Sequence, residues 1–244
     1  MPNDLHHLRA TWNALGNDDP LWAILSRPDK RGGRWDADEF FAAGEIEIAA
    51  IHAVCEQLAR PRDHATAVDF GCGIGRLTRA LASRYAQVIG VDISPSMLTQ
   101  AREVNAHLAN VRFVENAQPH LGFLADASVD LVYSVITLHH MPPRLQRAYI
   151  AEFLRVLATD GIAVFQIATG FSRDWRGLGY RLLPNAILAP ARRIVHSSAA
   201  AAEMHVLAEV DVTETVRFAG RRILHAHDVD SAGRGFRGRL LWVG

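Results

Sequence analysis

Three glycines at every second position, Gly71, Gly73 and Gly75, stand between an apolar run holding Val68 and Phe70 and a helical pattern that starts at Arg76, Leu77 and Thr78. Glycine reaches positive φ without steric penalty and has no Cβ, so this spacing lets the backbone turn sharply and lie against a ligand. The stretch reads as strand, turn, helix, with a pocket at the turn. One acid, Asp69, precedes the glycines, and a second, Asp92, ends the next apolar run. The competing reading is the dinucleotide fingerprint Gly-x-Gly-x-x-Gly, which seats a pyrophosphate on the helix N-terminus. Here the third glycine comes one residue early, and Asp69 would lie close to the pyrophosphate.

The rest of the chain alternates in a way that fits this turn. From residue 65 onward, apolar runs at 65–70, 87–91, 111–114, 129–136 and 162–167 are separated by stretches of helical spacing, the signature of right-handed βαβ units and a parallel sheet. Ser94 caps a helix with Pro95 at its first position and Met97, Ala101, Val104 and Leu108 on its inner stripe. Pro142 and Pro143 open another, which Asp160 and Gly161 are expected to close. Residues 1–35, with Trp12, Trp22 and Trp35 among turn signals, read as ordered but irregular; a long amphipathic helix then runs from Asp36 to Pro61 and is expected to cross the mouth of the site or to pack as plain core. The division expected is a helical cap over 1–64 and a core over 65–244.

Within that core, 169–205 reads as a lid-like insert. It holds five arginines (173, 176, 181, 192 and 193), interleaved with Trp175, Tyr180 and aliphatic residues. One reading is a solvated basic face; the other is a lid over the substrate or a surface that meets anionic groups. A helix over 209–219, strands at 222–227 and 236–243, and a hairpin loop at 233–235 complete the expectation.

With 49% hydrophobic residues in 244, the chain can bury a full core. Lysine plus arginine and aspartate plus glutamate both total 26, so no net field draws it to nucleic acid. Two cysteines, Cys55 and Cys72, make no disulfide framework. No uncharged apolar run reaches the ~18 residues of a membrane span, and no signal pattern opens the chain, so a cytoplasmic protein is expected.

At Asp69, the glycine triplet and Asp92 the sequence resembles the class I S-adenosylmethionine-dependent methyltransferases. The resemblance spans about residues 65–168 and implies a Rossmann-like α/β fold: a seven-stranded, mostly parallel sheet with an antiparallel last strand and helices on both faces. It implies S-adenosyl-L-methionine as cofactor, whose ammonium group suits a carboxylate. Asp69, Gly71, Cys72 and Gly73 would face its methionine part, Asp92 its ribose hydroxyls, and Ile93 and Met97 its adenine. Asn116 and Ala117 stand where the family often has an acid and a small residue near the adenine amine, with Glu115 as a substitute, and Ser134 of the fourth strand is also expected at the cofactor.

His139 and His140 follow that strand, and His140 before Met141 and Pro142 matches a histidine often seen there in the family. Either is a candidate general base, since an unperturbed imidazole titrates near neutral pH. The segment Glu203, Met204, His205 is a second candidate lining of the acceptor pocket. The function implied is methyl transfer to oxygen or nitrogen of a small molecule, with no metal, and with homodimerisation open. The alternatives are a non-catalytic cofactor-binding protein of the same fold and an RNA or protein methyltransferase. Against the latter, no Asn/Asp-Pro-Pro-aromatic motif follows strand four, where Ile136, Thr137 and Leu138 lead into the histidines.

Overall fold

The structure, a computed structural model, describes residues 2–172, 202–232 and 235–244. The arginine-rich stretch 173–201 and two residues of the expected hairpin loop, Gly233 and Arg234, lie outside these residues. Among those described, seven strands form one sheet in the order β3-β2-β1-β4-β5-β7-β6. They are β1 (Thr66–Phe70), β2 (Gln87–Asp92), β3 (Val111–Glu115), β4 (Val129–Ser134), β5 (Leu157–Phe171), β6 (Ile223–Val229) and β7 (Phe236–Val243). The first five pair in parallel, and β7 runs antiparallel to both β5 and β6. This is the expected Rossmann-like sheet with its antiparallel last strand. Strand order reverses between β1 and β4, which opens a crevice at their carboxyl ends.

The helices are α1 (Pro2–Asp18), α2 (Pro20–Ile24), α3 (Ala37–Gln57), α4 (Arg76–Ala82), α5 (Pro95–Val104), α6 (Pro143–Val156) and α7 (Glu209–Phe218). Caps set their starts where the sequence marks them: Asp36 accepts from the Glu39 N–H at the head of α3, and Ser94 from the Met97 N–H at the head of α5. Because side chains alternate across a strand, Val68 and Phe70 go to one face of β1 with Phe153 and Phe165, while Ala67 goes to the other with Leu131, Tyr133, Val164 and Trp242. Both faces are therefore dry, as a parallel sheet requires. None of the described helices is long and apolar enough to cross a membrane.

Two expectations are corrected. The N-terminal residues are helical, not irregular: Leu5, Leu8 and Leu15 fall on one buried stripe of α1, and the turn signals around Gly16 and Pro20 mark only the break before α2. Residues Asp160 and Gly161 do not close α6, which ends at Val156; they lie inside the 15-residue β5. A Cβ at Gly161 would stand 2.9 Å from the Asp130 carbonyl oxygen, so the glycine lets β5 pass close to β4 where their register shifts.

Helix α3 packs on α4 at a second such contact. A Cβ at Gly44 would lie 2.7 Å from the Arg76 carbonyl oxygen. Alanine gains about 1 kcal/mol in helix propensity over glycine, but here it meets backbone that cannot step aside, and overpacking costs about 1–3 kcal/mol. Gly44→Ala is accordingly expected to lower the unfolding free energy in urea despite the better helix former. A rise would mean that α3 and α4 are free to separate.

Candidate functional site

A cleft opens at the carboxyl ends of β1, β2 and β4, with a volume of about 890 Å³ including its part open to solvent. Its floor is the glycine turn. Gly71 and Gly73 have φ of +81° and +54°, and a Cβ on either would collide with Thr137 or Ile24. The N–H groups of Gly71 and Cys72 both donate to the Val91 carbonyl oxygen, at 2.7 and 3.0 Å, which folds the turn back onto β2. From the end of β2, Asp92 accepts the Gly73 N–H at 2.8 Å and the Ser94 N–H at 2.9 Å. Burial nevertheless pushes its pKa above the usual carboxylate value, against those bonds.

Of the residues expected to hold a cofactor, Gly71, Cys72, Gly73, Asp92, Ile93, Met97 and Asn116 line this cleft. Asp69 does not. It alternates with Phe70 to the opposite face of β1, where it is buried, accepts the Thr78 hydroxyl at 2.6 Å and sits in register with Tyr133. Desolvation there raises its pKa to about 7. Ala117 and Ser134 also lie off the lining; Ser134 is buried and donates to the Phe70 carbonyl oxygen at 3.0 Å. The Asn116 side chain closes a small ring with Gln118, donating to its carbonyl oxygen and accepting its N–H, while Glu115 is held by Arg9. Burial pushes the Cys72 thiol well up, so it stays a small neutral filler.

The two histidines part company. Both lie on a 3₁₀ turn, Leu138–His140, and one step along it separates core from cleft. His140 lines the cleft, its ring edge-on to Trp12 with centroids 5.0 Å apart and its Nδ1 3.0 Å from the Glu203 carbonyl oxygen. Desolvation lowers its pKa to about 4, so the imidazole is neutral at physiological pH. His139 is turned into the core, 1% exposed, with Nδ1 unpartnered among the described residues. It is not on the lining and is corrected to a packing residue. Glu203, Met204 and His205 also stay off the described lining; their main chain braces the histidine turn from behind, the His205 N–H donating to the His139 carbonyl oxygen at 2.7 Å.

What crosses the mouth is α1 with α2, not α3. Leu5, Leu8 and Trp12 of α1 and Ile24 of α2 line the cleft opposite the glycine turn. Helix α1 is fixed there by polar attachments: Asn13 accepts the Ser96 N–H through its side chain and the Ser96 hydroxyl through its carbonyl, and Arg9 makes a two-pronged bond to Glu115. Pro2 and Asp4 mark the start of α1, but the turn signals around Gly16 and Pro20 mask the helix in the sequence. The recurrence of Leu5, Leu8, Trp12 and Leu15 was the available signal. Arg76, which also lines the cleft, is buried and ion-paired with Glu47 at 2.9 Å.

Strain is stored at the same rim. Ile136, on the lining, has φ of +53°, a region that β-branched residues rarely adopt. Its N–H donates to the Gln166 side-chain oxygen at 2.9 Å, and Gln166 in turn donates to the Ser231 hydroxyl.

Comparison with known proteins bears on the same residues. The family model described as a methyltransferase domain matches residues 67–161. Among curated relatives, a 2-methyl-6-phytyl-1,4-hydroquinone methyltransferase of Synechocystis is 37% identical over 112 residues, 46% of this chain and 34% of the relative. A trans-aconitate 2-methyltransferase of Azoarcus is 34% identical over 173 residues, 68% of this chain and 64% of the relative. The chain thus spans less than two thirds of these relatives' length. Among solved structures, a magnesium protoporphyrin IX methyltransferase from Synechocystis with bound SAH superposes with a TM-score of 0.64 at 20% identity, covering 98% of each chain. At that identity the likeness is one of fold.

Asp69 gives a pH test of the site's energetics. The folded chain holds a proton that the unfolded chain releases above about pH 4, so this residue's contribution to stability declines as pH rises through the window up to about 7. Asp69→Asn keeps an acceptor for Thr78 and removes the buried charge. It is expected to stabilise the protein by about 1–3 kcal/mol near pH 8 and by almost nothing near pH 4, as read by urea denaturation at both.

Proposed function

Residues 67–161 belong to the methyltransferase-domain family of class I S-adenosylmethionine-dependent proteins, and from that premise we propose that this chain transfers a methyl group from S-adenosyl-L-methionine to oxygen or nitrogen of a small molecule. The observation that carries the reading is the convergence of a Cβ-free turn and the Asp92 carboxylate on one cleft at the switch point of the sheet.

The residues fit the cofactor's chemistry. Gly71 and Gly73 let Thr137 and Ile24, both on the lining, close directly onto the turn, where a Cβ would strike them and push the cleft wall away. Asp92 spends one lone pair of each oxygen on the Gly73 and Ser94 N–H groups, which leaves acceptor capacity for a pair of hydroxyls. Ile93 and Met97 supply an apolar wall for a flat base. When bound, the cofactor brings an electrophilic methyl on a sulfonium, whose leaving group is neutral. The protein therefore has no anion to stabilise on the leaving side, and its work is orientation and exclusion of water. Leu5, Leu8 and Trp12 on the cap and Met141 and Tyr149 on the core exclude water from the acceptor's side of the cleft. His140, neutral with its pKa lowered to about 4, is too weak a base to take the acceptor's proton and instead orients the acceptor by accepting a hydrogen bond from it.

Calorimetric titration tests the donor half. Wild-type protein is expected to bind S-adenosylhomocysteine with a micromolar Kd, and Asp92→Ala to weaken it by about 10- to 100-fold, as for loss of charge-assisted hydrogen bonds. Absence of binding by the wild type at hundreds of micromolar overturns the proposal. A labelled-methyl assay over phenols, amines and carboxylates then identifies the acceptor.

A further inference from the structure

The segment just after residue 201 has no regular secondary structure, yet it is pinned along its length to the wall of the cleft. Glu203 offers its carbonyl oxygen to His140 Nδ1 at 3.0 Å. His205 donates its N–H to the His139 carbonyl oxygen at 2.7 Å, its ring lies 3.5 Å from the Glu203 carboxylate, and Leu207, buried, donates to the Ala168 carbonyl oxygen on β5. Gln146 of α6, fully buried, ties this strap to the histidine turn: its amide nitrogen donates to the Met141 carbonyl oxygen at 2.8 Å and reaches the His205 carbonyl oxygen at 3.4 Å.

A carbonyl oxygen can only accept, so the bond from Glu203 requires the proton on Nδ1 of His140. In a neutral imidazole the other nitrogen, Nε2, is then an acceptor and never a donor. Since the ring lines the cleft edge-on to Trp12, with the His139 ring 4.5 Å away, the nitrogen left for a ligand is a lone pair. A molecule seated there must bring its own hydrogen-bond donor; an ether or tertiary amine would leave Nε2 unpaired and desolvated, which is costly.

We propose that the strap 202–208, anchored by Gln146, is a positioning device that holds His140 in the Nδ1–H tautomer and thereby selects acceptors that present an O–H or N–H group to Nε2 beside Trp12. The assignment rests on the methyltransferase reading for the identity of the acceptor, but the tautomer itself does not. Gln146 and the strap are positioning residues that act through His140.

Long-range proton–nitrogen correlation spectra of uniformly labelled protein test it, with His140→Gln assigning the resonances by their disappearance. The wild type is expected to show a protonated, pyrrole-type Nδ1 and a bare, pyridine-type Nε2 for His140 at neutral pH. Gln146→Met should move both nitrogens toward averaged values as the two tautomers exchange; if that variant fails to fold, His205→Pro, which deletes one N–H anchor of the strap, should do the same. With S-adenosylhomocysteine present, phenol should shift the Nε2 resonance and anisole, its methyl ether, should not. A wild-type Nε2–H tautomer, an unchanged spectrum in a folded anchor variant, or equal responses to phenol and anisole each overturn the proposal. Calorimetry on the same samples separates the two readings, because failure to bind S-adenosylhomocysteine sinks the methyltransferase reading and leaves the tautomer result standing.

Discussion

The Asp92 carboxylate is the bond on which the site hangs. By taking the Gly73 N–H with one oxygen and the Ser94 N–H with the other, it joins the turn after β1 to the turn after β2. Two loops that diverge from adjacent parallel strands are thereby held as one rim. The cost is a desolvated carboxylate whose pKa is pushed up, in part offset by the backbone N–H groups of Ser94, Gly73 and Ile93. Everything above that rim follows: the glycine turn keeps its shape, α5 starts where Ser94 caps it, and Ser96 at its first turn receives α1.

The core of this arrangement was legible because backbone chemistry wrote it into the sequence. Positive φ at Gly71 and Gly73, the acid ending β2, the Ser94-Pro95 helix start and the double proline before α6 are all local demands, and each is met by a residue type with few substitutes. The sheet followed from the alternation of strand and helix patterns. The site residues were read less evenly. The family resemblance places Asp69 at the cofactor with the glycines, but strand alternation sends it to the opposite face, toward Thr78 and Tyr133. His139 and His140 are indistinguishable in sequence, and only the phase of a 3₁₀ turn separates the packed ring from the one on the cleft.

The least legible part was the cap, for a physical reason. Helix α1 is stabilised by tertiary partners rather than by its own propensity: its hydrogen bonds run from Asn13 to Ser96 and from Gly16 to Gln100, more than eighty positions away. A local reading weighs Trp12, Gly16 and Pro20 as breakers and aromatics without a frame. The long helix α3 was legible as a helix but not as to its place, since its apolar stripe fits α4 as well as it would fit a cleft. Gly44 against the Arg76 carbonyl oxygen settles the choice in favour of α4.

The position of β7 bears on how such a chain comes into being. It is the last strand in chain order, yet it lies inside the sheet, between β5 and β6, with Leu241, Trp242 and Val243 essentially inaccessible. During synthesis, β1 to β5 leave the ribosome first, and the edge of β5 stays open until β7 arrives. The strap against His140 and the Gln166–Ser231 bond behind Ile136 belong to the same late stretch. The nascent chain can therefore build its glycine turn well before it can finish the wall that faces it, and that interval is when a chaperone has an exposed strand edge to protect.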